Sequence, residues 1–331
     1  MGSNASISSI CINMAQNFKI AVLGYGSQGR AWALNLADSG CEITIGLPSG
    51  DKTRRTAKKD GIRNITTPSR AVSSADIIIF AFPDHLHGRV FLKDIIPNLK
   101  EYSALVFLHG YSIHFGTVKP PDKTDIILLA PLGPGVSVRE KYLENDSIGY
   151  FYGIHQNGSG RAKTILNYLS GRLKIKKSMM IETTFEDEAV GDLFGEQAVL
   201  CGGLTQLIKS GYETLVASGL SSDKAYLEVA YQLDLIISLI KKYGIEGMYN
   251  RISVTARFGL IENGRKIIGA DVKNNMKKVL SEIKNGRFAE KFNKLDKSGM
   301  KKLNRDIKTM TTQQFEKSAA KFSTIKTRKK K

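Results

Sequence analysis

At 331 residues the chain is too long for one small core, and two domains are the prior expectation. Its 42% apolar and 24% charged residues exclude wholesale disorder, and no apolar run reaches the roughly 20 residues of a membrane span, since even residues 233–240 include Asp234. The net charge of +18 is concentrated at one end: residues 271–331 hold 19 Lys/Arg against 6 Asp/Glu, and the first 270 residues carry only +5.

The first half alternates short apolar runs with polar, helix-compatible segments. The runs cover residues 19–23, 42–45, 76–82, 104–108, 125–130 and 148–154. Each is rich in Ile, Val, Leu or Phe and bounded by Gly, Pro, Asp or His, the pattern of parallel strands covered on both faces. Helices between them imply right-handed βαβ units and a doubly wound α/β sheet. The turn Gly24-Tyr25-Gly26-Ser27-Gln28-Gly29 follows the first run and opens a helical pattern. Here a first glycine permits a tight turn, a second lets a pyrophosphate approach the backbone, and a third lets helix pack on strand. Free N–H groups and the helix dipole would hold the anion. A merely structural glycine turn is the alternative, which the strand before and the helix after disfavour.

The second run leads into residues 46–55, where the adenosine ribose would lie. Asp51 would accept from a 2′-hydroxyl and favour NAD, whereas Lys52, Arg54 or Arg55 would pair with a 2′-phosphate and favour NADP, or simply face water. His85 and His87 follow Pro83-Asp84 at another strand end, and His109 follows the run at 104–108. Ligands of open α/β sheets bind at such ends. A hydrogen-bonded structural histidine fits the position of His109 equally well.

From about Glu182 strand-like runs give way to helical periodicity. The best helices are expected at 187–218 and 222–242, the second capped by Ser221 or Ser222. The expected division is 1–181 for the dinucleotide-binding domain, 182–315 for a helical domain and 316–331 for a basic tail. The terminal lysines have no interleaved aromatic residues, so a solvated, frayed terminus is expected rather than a nucleic-acid platform. Asp192 and Glu196 are four apart and share a helix face; Glu228 and Gln232 repeat the spacing. Oxygen donors from two helices suit Mg²⁺, although carboxylates four apart are also common on exposed faces. Glu186, Asp187 and Glu188 read as an acidic first turn favoured by the helix dipole. Cys11, Cys41 and Cys201 are too scattered for a metal pair or a disulfide framework, which points to a reducing cytoplasm.

Together these pieces resemble a ketol-acid reductoisomerase of the short, class I type. The resemblance runs from about residue 19 to 292. It rests on the glycine turn, on Phe107-Leu108-His109-Gly110-Tyr111-Ser112-Ile113-His114, on Ala130-Pro131-Leu132-Gly133-Pro134-Gly135, and above all on Asp192 to Leu204. It implies a Rossmann-type domain followed by an all-helical, knotted domain that forms an intertwined homodimer with a composite active site. It also implies two Mg²⁺ ions, NAD(P)H, and 2-acetolactate or 2-aceto-2-hydroxybutyrate as substrate, on the route to branched-chain amino acids. Carried over residue by residue, Asp192 would bridge both metals, with Glu196, Glu228 and Gln232 completing the set. Asp192, Glu196 and Glu228 are expected to converge beside the nicotinamide. Ser253 would contact substrate and His109 would be the active-site histidine. Cofactor contacts would come from residues 24–29, Asp51, Thr53, Asp84, His85, Leu86, His87 and Gly135.

Four positions depart from the family pattern. Leu132 replaces a lysine of the polar network, and Gln232 replaces a glutamate, lowering the carboxylate charge from −4 to −3. Pro48 and Asp51 replace residues that attract a 2′-phosphate, so NADH is expected to serve at least as well as NADPH. A reductase that has lost the alkyl migration, and a non-catalytic cofactor-binding scaffold, are the alternative expectations.

Overall fold

The computed structural model describes residues 17–327; Cys11 and the terminal run Arg328 to Lys331 fall outside them. The described chain divides at Gly191/Asp192 into two units. This lies ten residues past the expected boundary at 181/182.

The first unit carries an eight-stranded sheet. In chain order it contains β1 (Ile20–Leu23), α1 (Ser27–Asp38), β2 (Ile43–Gly46), α2 (Thr53–Lys59), β3 (Ile65–Thr66), α3 (Pro68–Ser74), β4 (Ile77–Phe80), α4 (His87–Val90), β5 (Ala104–Phe107), α5 (Tyr111–His114), β6 (Asp125–Pro131), α6 (Gly135–Leu143), β7 (Tyr150–Asn157), α7 (Ala162–Arg172) and β8 (Met180–Glu182), and α8 (Phe185–Gly195) leads out of it. The strand order is β3-β2-β1-β4-β5-β6-β7-β8. The order reverses beside β1, the switch point at which doubly wound sheets open a ligand crevice.

Why the strands read as unbroken apolar runs is plain from their side-chain alternation. Ile20 and Val22 of β1, with Ile77 and Ile79 of β4, enter a core shared with Trp32 and Leu36 of α1. Ala21, Leu23, Ile78 and Phe80 enter the opposite core with Val72 and Phe91. Both faces are dry, so neither alternate position can be polar. One expectation is corrected here. The run at 148–154 forms β7, but β7 pairs antiparallel with β6. Its outer half, Ile154 to Asn157, is largely exposed, as suits a strand no longer covered on both faces.

The second unit is helical throughout its described residues: α9 (Gly202–Ala217), α10 (Ser222–Tyr226), α11 (Leu233–Tyr249), α12 (Val254–Ile267), α13 (Ala270–Lys284), α14 (Arg287–Asn293), α15 (Lys297–Thr309) and α16 (Gln313–Thr327). The two long helices expected at 187–218 and 222–242 are each interrupted by a π-helical turn, at Glu196–Leu200 and at Leu227–Tyr231. Gly244, with φ of 71°, kinks α11. Ser221 is the N-cap of α10, but its side chain makes no capping bond.

The basic tail is also corrected. Residues up to Thr327 form α16, and α16 packs on α10. Phe315 sits edge-on to Tyr212 and Tyr226, Phe322 stacks on Tyr226, and Asp223 accepts a 2.7 Å hydrogen bond from Ser318 and pairs with Lys321. The aromatic residues that anchor this helix lie before the lysine run, where a reading of charge alone gives them no weight.

Few apolar side chains of the second unit are buried, chiefly Leu193, Tyr212, Ala225, Met248, Ile283 and Ala289. In contrast, Val254, Phe258 and Ile261 line one face of α12 at helical spacing and are each about 70% exposed. Leu235 and Ile245 of α11 and Leu200 are similarly uncovered. No described helix is long and apolar enough to cross a membrane.

Candidate active site

The glycine turn leaves β1 and enters α1. Gly24 has φ of +101°, and a Cβ there would come within 2.3 Å of the Ala81 carbonyl oxygen. At Gly29 a Cβ would lie 2.5 Å from the Gly24 oxygen, so α1 is drawn tightly against its own turn. Around Gly26 there is nothing within 4 Å. Gly26 is also the N-cap of α1 and offers no side-chain cap, which leaves the first amides of the helix to a ligand. Two glycines are therefore required by the protein's own packing, and the middle one faces open space. That combination fits a dinucleotide pyrophosphate.

It also makes a prediction. Gly26→Ala should leave thermal stability within about 2 °C of wild type, yet weaken NADH binding about tenfold or more because its methyl enters the anion's space. Thermal melts and fluorescence titration check both halves; unchanged affinity would place the pyrophosphate elsewhere.

Around the turn lies a cavity of about 510 Å³ at the carboxyl ends of β1, β2, β4 and β5. Of the residues singled out from sequence, Gly24, Tyr25, Gly26, Ser27, Gln28, Asp51, Thr53, Asp84, His87 and His109 line it. Gly29, His85, Leu86 and Gly135 lie outside the lining. Gly135, at the start of α6, abuts the glycine turn: a Cβ there would be 2.2 Å from the Ser27 oxygen. Gln28 Nε2 donates to the Gly133 oxygen at 2.8 Å and ties the two turns together. Beneath the turn, the Tyr25 hydroxyl and the Arg30 guanidinium both donate to Asp60. The guanidinium bonds hold the Asp60 carboxyl below its usual range, while burial and then Asp60 push the Tyr25 phenol well above its own.

On the ribose side, Asp51 Oδ1 accepts from the Thr53 N–H at 2.8 Å and the Thr53 hydroxyl at 2.6 Å, which fixes the acid at the start of α2. Arg54 points away from any phosphate role. Its guanidinium donates to the carbonyls of Leu47, Thr66 and Ile65 at 2.8, 3.1 and 3.3 Å, tying the ends of β2 and β3.

At the far side, Asp84, His87, His109 and Glu188 meet. His87 is 3% exposed; its Nε2 is 2.8 Å from the Phe82 oxygen and its Nδ1 2.7 Å from the Ser112 hydroxyl. Burial holds its pKa below the usual imidazole value. Asp84 Oδ1 stands 3.7 Å from Nδ1 of both His87 and His109. Burial pushes the Asp84 carboxyl up, but the His109 hydrogen bond and the two imidazoles outweigh it, and the net displacement is downward. His109 Nε2 is 3.9 Å from Glu188 Oε2. Glu188 is 5% exposed and takes the backbone N–H of Gly110. Sequence reasoning missed Glu188, reading it as part of an acidic first turn. The available signal was its place four residues before Asp192, on the same helical face as Asp192 and Glu196.

Asp192, Glu196, Glu228 and Gln232 are all exposed within one chain. The pairs flank or span the two π-helical turns, a feature often found at functional sites. Gln232 Nε2 lies 3.4 Å from Glu228 Oε2. Among the described residues of one chain, no three His, Cys, Asp or Glu side chains gather as a metal cluster. Ser253 is exposed and caps α12, accepting from the Ala256 N–H at 3.1 Å.

A doubly wound sheet with an open cradle for a pyrophosphate at its switch point places the first unit in the Rossmann class of dinucleotide-binding domains. Comparison with known proteins resolves the family. Residues 14–172 match the model of the acetohydroxy acid isomeroreductase NADPH-binding domain, and residues 185–327 match that of the ketol-acid reductoisomerase C-terminal domain. The solved structure of an NADH-preferring ketol-acid reductoisomerase from an uncultured archean is 36% identical, with a TM-score of 0.87 over 93% of this chain and 94% of that one. The chain belongs to the ketol-acid reductoisomerase family, and is an NAD(P)H-dependent oxidoreductase and isomerase. More distant likenesses concern the fold alone. A semialdehyde dehydrogenase NAD-binding protein from Cupriavidus necator is 17% identical with a TM-score of 0.62, over 82% of this chain and 99% of that one. A 1-pyrroline-5-carboxylate reductase from Streptococcus pyogenes is also 17% identical, with a TM-score of 0.57, over 81% and 99%.

Proposed function

We propose that this protein converts 2-acetolactate and 2-aceto-2-hydroxybutyrate to the rearranged, reduced dihydroxy acids of branched-chain amino-acid biosynthesis, as a Mg²⁺-dependent homodimer that uses NADH at least as well as NADPH. The observation that carries this reading is the cavity in which the glycine turn, Asp51 and His109 meet. When bound, the nicotinamide supplies hydride and the divalent ions supply Lewis acidity for the alkyl shift. This chain's residues supply the rest. The amides after Gly26 bind the pyrophosphate, Asp51 reads the ribose, and His109 holds a proton at the carboxyl end of β5.

Asp192 and Glu196 would hold the metals from one copy, with Glu228 and Gln232 coming from the other. Hard oxygen donors in two half-sets suit Mg²⁺, which keeps several waters. The uncovered stripe Val254, Phe258 and Ile261 supports a second copy, because exposed apolar patches of this kind mark association surfaces. The unpaired thiols of Cys41 and Cys201 support a reducing cytoplasm as its compartment.

Use of NADH is supported by Asp51, whose charge would repel a 2′-phosphate, and by Arg54, already spent on three carbonyls. The test is steady-state turnover of 2-acetolactate with Mg²⁺ and each cofactor. NADH should match or exceed NADPH in kcat/KM, and an NADPH advantage of about tenfold or more would contradict the reading.

A reductase without alkyl migration is a second reading, and Leu132 favours it. Its half-exposed side chain lies over Gly149 and has no group to donate a proton. Turnover of 3-hydroxy-3-methyl-2-oxobutanoate but not of 2-acetolactate would select it.

A further inference from the structure

We propose that Asp84 is a positioning residue: it holds His109 through Nδ1, so that Nε2 is the edge at which the ring gives and takes a proton. The inference deepens the functional reading above and rests on His109 belonging to that site.

The argument begins with the neighbouring imidazole. The Phe82 carbonyl can only accept, so His87 Nε2 carries a proton and donates it there. Burial keeps this ring neutral, so His87 Nδ1 is a lone pair, and it accepts from the Ser112 hydroxyl. A lone pair has nothing to offer a carboxylate. Of the two imidazoles 3.7 Å from Asp84 Oδ1, only His109 can therefore donate to it. The separation is long for a hydrogen bond, as catalytic pairs often are before substrate closes on them.

His109 has an acid at each edge, but the nearer one is Asp84, at Nδ1, and the Glu188 oxygen at Nε2 already accepts the Gly110 N–H, so the neutral ring is assigned the Nδ1–H tautomer. Its other edge faces Glu188 Oε2, 3.9 Å away, and Glu188 is itself anchored by the Gly110 N–H. Tyr111 stacks alongside the ring, with centroids 6.1 Å apart and planes 22° apart. Among the groups facing His109 are Asp84 from the turn after β4, Glu188 from α8 and Tyr111 from α5. A nearer acid at one nitrogen, with the acid at the other already engaged by a backbone N–H, sets which edge keeps the proton, as partner groups do for imidazoles generally. His87, by contrast, is consumed in bracing the turn that carries Asp84.

The tautomer is read by ¹⁵N imidazole NMR on the full-length protein, with the His109 signal assigned by its loss in His109→Gln. Wild type should show protonated Nδ1 and unprotonated Nε2 above the ring's titration. Asp84→Ala should shift His109 toward the Nε2–H form that imidazoles favour in water, and Asp84→Asn, which keeps an acceptor oxygen, should restore part of the wild-type signal. With 2-acetolactate, Asp84→Ala should lower kcat about tenfold or more with a smaller change in KM. A wild-type Nε2–H tautomer, or no change of tautomer in Asp84→Ala, would overturn the proposal. The NMR result stands apart from turnover, so an inactive protein with the expected tautomer would instead count against the functional reading.

Discussion

Asp192→Asn is expected to lower kcat/KM for 2-acetolactate by on the order of a thousandfold or more, with NADH affinity held within about twofold. The asymmetry follows from where the parts sit. Every group assigned to the dinucleotide, from Gly24 to Gly135, belongs to the first unit and is fixed by that unit's own strands and turns. Asp192 opens the second unit, one residue into its chain, just before the π-helical turn that carries Glu196. Losing its charge would remove one of three carboxylates from the proposed metal set, in which Gln232 already contributes none. Steady-state kinetics and fluorescence titration measure the two effects separately. Turnover near wild type would remove Asp192 from the metal set.

Much of this was legible in the sequence because burial leaves a strong signature. A parallel strand with both faces dry has no room for alternation, so β1, β2, β4, β5 and β6 appear as plain apolar runs. Glycines forced by close packing, here Gly24 and Gly29, are equally visible, and with Gly26 between them they mark the turn without further help. Other features carry no such mark. The two residues of β3 are too few for any period. A π-helical turn changes hydrogen bonding without changing composition, so the breaks at Glu196–Leu200 and Leu227–Tyr231 were invisible. Arg54 looks like a phosphate ligand until its donors are found on Leu47, Ile65 and Thr66. Glu188 looks like a solvated acid until the chain folds Gly110 against it. In the tail, charge is plain in the sequence, whereas the anchors Phe315 and Phe322 lie before the lysine run and show their role only where the described helix meets Tyr212 and Tyr226.

The half-sets and the bare face of α12 make one combined expectation, and it is the second large effect. A single chain exposes Val254, Phe258 and Ile261 at one period of a helix, and the carboxylates proposed to hold metal, Asp192, Glu196 and Glu228, do not gather among its described residues. Both deficits are met together if a second copy covers the face and brings its own Glu228 and Gln232 to the first copy's Asp192 and Glu196. Such an arrangement places each working site across two chains. Asp192→Asn and Glu228→Gln should then each be inactive alone, because each damages both sites of its own homodimer. Co-expressed, they should form mixed dimers in which one site is doubly damaged and the other is intact. Random pairing makes about half the dimers mixed, each with one good site, so the co-expressed pool should recover about a quarter of wild-type activity. Recovery near that level is the result this account predicts. A pool as inactive as either variant alone would mean that the donors act within one chain, and would contradict it.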